Sequence, residues 1–205
     1  GVLLAVAFLD LLPESLEAGV AEPETILRWA FVGLLAFFFI EKLLFWYHCH
    51  EEHCEVHTSS YMIILGDAFH NFLDGVAIAA AFMLDIRLGV VTSLAITLHE
   101  IPQEIGDLAV LASSGMKKNK VLLVNLASAA TSIVGAVLTY LFFSGLTNLV
   151  PIVAAIAAGG FLYISTADLI PEMHRNVRRS HIVTQFFLFL LGIVVIVLFG
   201  RIFEV

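Results

Sequence analysis

The sequence predicts an all-α polytopic membrane protein, on three observations. Of 205 residues, 60% are hydrophobic and 14% charged, with mean hydropathy +0.98; soluble domains sit nearer half apolar and a quarter charged. Apolar runs of about 20 residues, the length that crosses a bilayer as a helix, recur along the chain. Two of them carry acids at mid-span, in the motifs HNFLDG (His70–Gly75) and HEIPQE (His99–Glu104). Facing lipid, Asp74, Glu100, Glu104 and Asp107 would together cost about 12 kcal/mol, at roughly 2.5–3.5 kcal/mol each. A whole domain is stable by only about 5–15 kcal/mol. Such groups must face one another, water or a bound cation, and a cation is the reading adopted here.

Seven runs follow in order, and their continuity argues against a β-barrel, whose strands alternate. Run 1–18 leads into the acidic stretch Glu14–Glu24, and Pro23 marks the entry to run 26–47. A polar stretch at 48–58 separates that run from 59–84, and run 88–113 ends before Gly115. Run 120–144 stops at Gly145, run 148–172 carries Pro151 near its start, and run 181–203 completes the set. Glycine and proline punctuate helices in this way. Residues 1–205 read as one transmembrane transporter domain.

Lys117, Lys118 and Lys120 follow the fourth run, and Arg175, Arg178 and Arg179 follow the sixth. Two crossings apart, these basic loops share a side, which the positive-inside rule makes cytoplasmic. The loop at 48–58 then also faces the cytoplasm, and the acidic stretch lies outside. A net charge of −8 with no basic arm argues against a nucleic-acid partner. No signal peptide is present, and two cysteines in one loop make no disulfide scaffold.

DLLPE (Asp10–Glu14) ends the first run and DLIPE (Asp168–Glu172) ends the sixth, on spans of opposite direction. The two His motifs also sit on antiparallel neighbours. That is the pattern of an inverted-topology repeat, common in secondary transporters. Pairing first with sixth and second with seventh leaves the fifth run without a partner. The expectation is eight helices arranged three, two and three, the first of them missing ahead of Gly1.

At helical spacing His70 and Asp74 share a face, as do His99 and Gln103; Glu100, Glu104 and Asp107 form a second strip. Two imidazoles, a carboxylate and an amide across two helices suit four-coordinate Zn²⁺. Asn71, Glu100 and Gln103 suggest a second, oxygen-richer site suited to harder ions such as Mn²⁺ or Fe²⁺, so selectivity need not be strict and Fe²⁺, Mn²⁺ and Cd²⁺ stand beside Zn²⁺ as candidate substrates. Pro102 removes a backbone hydrogen bond, predicting a kink near Leu98 and carbonyls free to help hold a cation. Gly66, Gly75, Ala79 and Gly106 offer small faces for close helix contact.

With EKLL (Glu41–Leu44) leading into a His-rich loop, the two motifs closely resemble the ZIP (Zrt-, Irt-like) family of divalent-metal transporters. The resemblance implies a binuclear centre, metal movement towards the cytosol and a homodimer. It carries over His70, Asp74, His99 and Gln103 as the main site. The second site becomes Asn71, Glu100 and a shared Gln103, with Glu104 as a further contact or an outer partner. Gln103 stands where many members have His or Glu, and the fifth run offers only Asn125 and Ser128 where some members have Glu.

Asp10 and Glu14 then line the entrance, Asp107 supports the site, and Glu41, Asp168, Glu172 and His174 line the exit. The loop ligands His48, Cys49, His50, His53, Cys54 and His57 suit a cytosolic zinc chelator. The reading is a secondary transporter in a plasma (inner) membrane, working by alternating access. Two alternatives stay open: a passive divalent-metal channel and an intramembrane zinc hydrolase. HEIPQE falls short of the hydrolase motif H-E-x-x-H, because position 103 is Gln and Pro102 lies within the turn.

Overall fold

The computed structural model describes residues 1–46, 56–171 and 179–203. Those residues form seven helical rods with no strand among them. Helix α1 joins Val2–Ala5, a π-helical turn Val6–Leu11 and Leu12–Glu17. Helices α2, α3 and α4 span Pro23–Trp46, Val56–Leu84 and Ile86–Ser113. Helix α5 runs as Lys118–Ala129 and Thr131–Phe143. Helix α6, Val150–Ile164, follows a 3₁₀ turn at Thr147–Leu149 and passes into a π turn at Ser165–Leu169; α7 is Arg179–Phe203. All seven apolar runs become helices. By length and composition alone, three segments among the described residues suffice to cross a membrane: Lys118–Phe143, Thr147–Ala167 and Ile182–Ile202.

Local chemistry sets the boundaries. The Asp85 carboxylate accepts from the backbone N–H of Arg87 at 2.7 Å and of Leu88 at 3.2 Å, capping α4 one residue after α3 ends. That cap folds α3 and α4 into the tight hairpin on which the site is built. Gly115, at φ +82, follows α4 in the left-handed conformation that glycine tolerates. Helix α4 stays helical through Pro102.

Two features depart from a plain reading of apolar runs. Helix α5 breaks at Ala130, where polar side chains compete for backbone partners. Thr131 Oγ1 donates to the carbonyls of Ser128 (2.7 Å) and Ala68 on α3 (2.6 Å), and Ser132 Oγ donates to Ala129 (2.8 Å). The second departure is that both D-L-[LI]-P-E motifs begin in π turns, at Asp10–Leu11 and Asp168–Leu169. Pro13 and Pro171 lack the N–H that would bond the carbonyl four residues back, and each helix widens just ahead of its proline.

Helix α6 stands at the centre, its Ala154, Ala155, Ala158 and Phe161 buried, whereas α5 and α7 turn mostly apolar, exposed side chains outward. Glycines bring backbones into contact. A Cβ on Gly33 would strike the Ile156 backbone, and one on Gly159 the Ala30 carbonyl, so α2 and α6 interlock. Gly75 against Ser132 and Gly135 against Phe72 do the same for α3 and α5. Gly1 meets the Phe189 carbonyl of α7 as Gly159 meets Ala30 of α2. Gly1 and Gly159 lie 158 positions apart, like Asp10 and Asp168, and Ala30 and Phe189 lie 159 apart. The packing partners exchange likewise: α1 touches α4 and α7, and α6 touches α3 and α2.

Of the small faces expected for close contact, Gly75 and the buried Ala79 qualify. Gly66 and Gly106 do not, since a Cβ there meets nothing within 4 Å. Replacing Gly159 or Gly75 by Val should therefore destabilise the fold by about 1–3 kcal/mol. Gly106→Ala should be neutral or stabilising by up to about 1 kcal/mol; thermal unfolding in detergent measures all three.

Candidate metal centre

The α3–α4 hairpin brings four side chains to one point. His70 Nε2 and His99 Nε2 are 3.1 Å apart. Asp74 Oδ2 lies 3.7 Å from the first and 3.4 Å from the second, and Glu100 Oε1 lies 3.2 and 3.3 Å from them. Donors around a tetrahedral zinc with bonds of about 2.0–2.2 Å are spaced roughly 3.3–3.6 Å apart. Five of the cluster's six edges, at 3.1–3.7 Å, thus lie close to those of a zinc tetrahedron.

Its electrostatics point the same way. Asp74 is 1% exposed and neither of its carboxylate oxygens has a hydrogen-bond partner; Glu100 Oε1 is equally unpartnered. Arg87 is the only Lys or Arg in α3 and α4, and it lies 12 residues from His99, about 18 Å along the helix. His99 Nδ1 is 3.3 Å from the Ala95 carbonyl, which can only accept. A neutral His99 that donates from Nδ1 to this carbonyl turns its Nε2 lone pair into the cluster. The Phe161 ring of α6 stands against His99 with centroids 6.5 Å apart, closing that side.

Glu100 stands at the fourth corner of this cluster, and the Gln103 amide nitrogen donates to Asp67 Oδ1 at 3.4 Å. Neighbours 99 and 100 diverge by about 100° on a helix, and α3 sits in the angle between them, so both reach it.

A second group of oxygens, from Asp67, Glu100 and Glu104, lies with its donors within 4.8 Å of one another and shares Glu100 with the first. Asn71 Nδ2 donates to Asp67 Oδ1 at 3.0 Å, and Asn125 of α5 donates to Glu104 Oε2. A cavity of about 500 Å³ between α3, α4 and α5 is lined by Asn71, Asp74, Glu100, Glu104, Ala129 and Ser132.

Sequence reasoning missed Asp67, although it stands one turn before His70 and Asn71 on the same face. Asp107 is partly buried but outside both groups.

Among the pathway residues, Asp10 is buried in its π turn with Oδ2 unpartnered, and Glu14 is partly buried. Glu41 accepts from the Tyr163 hydroxyl, tying α2 to α6. Asp168 lies in the second π turn. Glu172, His174, His48, Cys49, His50, His53 and Cys54 fall outside the described residues. His57 belongs to the first turn of α3, not to the loop, because that helix begins at Val56.

With this geometry in place, comparison with known proteins decides the family. The family model described as ZIP Zinc transporter matches residues 46–200. The chain belongs to the ZIP zinc transporter family. It is 38% identical over 152 residues to "Zinc transporter ZIP10" of Danio rerio, covering 71% of this chain and 18% of that protein. It is 43% identical over 127 residues to "Metal cation symporter ZIP8" of Rattus norvegicus, covering 62% and 27%. It is also 43% identical over 124 residues to "Zinc transporter ZIP4" of Mus musculus, covering 60% and 18%. The chain thus spans less than a third of these relatives. Membership in this ZIP family makes it a polytopic membrane protein of a transporter family, not a hydrolase.

Replacing either His70 or His99 by Ala should weaken zinc binding by more than the roughly 10–100-fold that loss of an outer-shell partner costs. Isothermal titration of purified protein reads the loss.

Proposed function

We propose that this protein carries divalent metal ions, zinc foremost, across the membrane towards the cytosol by alternating access. The observation that carries the reading is a buried two-imidazole, two-carboxylate cluster at zinc spacing, its acids without hydrogen-bond partners. Metal is the substrate: His70, Asp74, His99 and Glu100 hold it at mid-span, replacing its water. The carboxylate pair of Glu100 and Glu104, beside Asp67, is the next position for the ion. It lies towards the Ser113 end of α4, which positive-inside orientation puts on the cytosolic side. An oxygen donor set favours harder ions, supporting Mn²⁺ and Fe²⁺ as competing substrates, while the two imidazoles leave Cd²⁺ a competitor at the first site.

The packing supports a two-part device. Helices α3 and α5 interlock through Gly75 and Gly135 and carry the site with α4. Helices α2 and α6 interlock through Gly33 and Gly159, and α1 packs with α7 beside them. Movement of the α3–α4–α5 group against α1, α2, α6 and α7 exposes the ion first outside, past Asp10 and Glu14, then inside, past Glu41 and Asp168. The matched π turns and the exchanged packing partners support an inverted repeat pairing α1 with α6, α2 with α7 and α3 with α4. The same reading makes the protein a homodimer of a plasma (inner) membrane, its His-rich loop cytoplasmic.

Proteoliposomes reconstituted with the full-length protein should take up radioactive zinc saturably, and unlabelled zinc inside should accelerate entry. Entry without saturation or exchange would indicate a channel. Loss of uptake in the His70→Ala/His99→Ala double variant is required. Uptake should also fall on acidification, because protons compete with metal for imidazole and carboxylate ligands.

A further inference from the structure

We infer that Asp67 is a positioning residue that turns the amide oxygens of Asn71 and Gln103 towards the transported ion. The inference rests on the transport reading above, and on hydrogen-bond chemistry at a residue to which sequence motifs give no role.

Asp67 is 7% exposed and one helical turn before Asn71. Its Oδ1 accepts from Asn71 Nδ2 at 3.0 Å and from Gln103 Nε2, across the hairpin, at 3.4 Å. Asn71 Nδ2 also donates to the Asp67 backbone carbonyl at 3.2 Å. A carboxylate and a carbonyl can only accept here, so the amide nitrogens must be the ends that face Asp67. The oxygens, an amide's metal-binding atoms, are then held away from it. For Asn71 that direction is the cavity it lines with Asp74 and Glu100.

Without Asp67, each amide is free to flip and present N–H groups to a cation, which repels it. Outer partners fix metal-ligating histidines in the same way, by binding the end that does not touch metal. One buried carboxylate thus sets two amides on two helices, and links α3 to α4 at the level of the site.

The alternative is that Asp67 binds the ion directly, as part of the oxygen group with Glu100 and Glu104. A double-mutant cycle separates the two. Zinc uptake by full-length protein, normalised to the amount in the membrane, is measured for Asp67→Ala, for Asn71→Ala/Gln103→Ala and for the triple variant. The expected result is a KM for zinc raised about tenfold or more in Asp67→Ala, with maximal rate per molecule less affected, and no further rise from Asp67→Ala once both amides are gone. Asp67→Asn, isosteric and left with one acceptor oxygen, should fall between Asp67→Ala and wild type, and it serves where the alanine variant does not reach the membrane. An unchanged KM in Asp67→Asn and Asp67→Ala overturns the proposal while leaving the transport reading intact. So does a KM rise that persists undiminished in the triple variant, which marks a direct ligand. Wild-type protein that moves no zinc refutes the transport reading instead.

Discussion

Acidic charge gathered in a low-dielectric interior is the constraint around which this molecule is arranged. Asp67, Asp74, Glu100 and Glu104 converge where α3 and α4 supply no nearby Lys or Arg. Burying one unpaired carboxylate costs several kcal/mol, and four at this spacing repel one another as well. The tight α3–α4 turn, the glycine-close packing of α5 and the aromatic wall from Phe161 all hold these groups together against that repulsion. On the transport reading, a divalent cation completes this acidic cluster.

That constraint also explains the amides. Asn71, Gln103 and Asn125 each donate to a carboxylate of the second group, spreading its charge without neutralising it. A lysine would pair with those acids and displace the metal. Carboxamides stabilise them and still leave oxygens for an ion.

Much of this was legible beforehand, and the gaps have physical causes. Seven rods, their order and the pairing of HNFLDG with HEIPQE follow from hydrophobic length and helical spacing. Helical strips also picked His70, Asp74 and His99. They paired Gln103 with His99 because strip reasoning assumes one facing surface per helix, whereas α3 lies in the angle between residues 99 and 100 and meets Glu100 as well. Asp67 escaped because a buried acid announces a role only through its partners, and Gln103 lies 36 positions away. The break at Ala130 turned on which carbonyls Thr131 and Ser132 reach, a competition invisible in an apolar run.

The two π turns have a consequence of their own. A π turn carries an extra residue per loop of backbone, and so offers slack that can be taken up as α-helix without breaking the rod. Here that slack occurs once in α1 and once in α6, each beside an acid and a proline. Tightening one while the other stays loose would rotate the residues beyond it by about a third of a turn relative to the rest. A single local adjustment, repeated in opposite sense at the two ends, is thus available as a joint for each mouth.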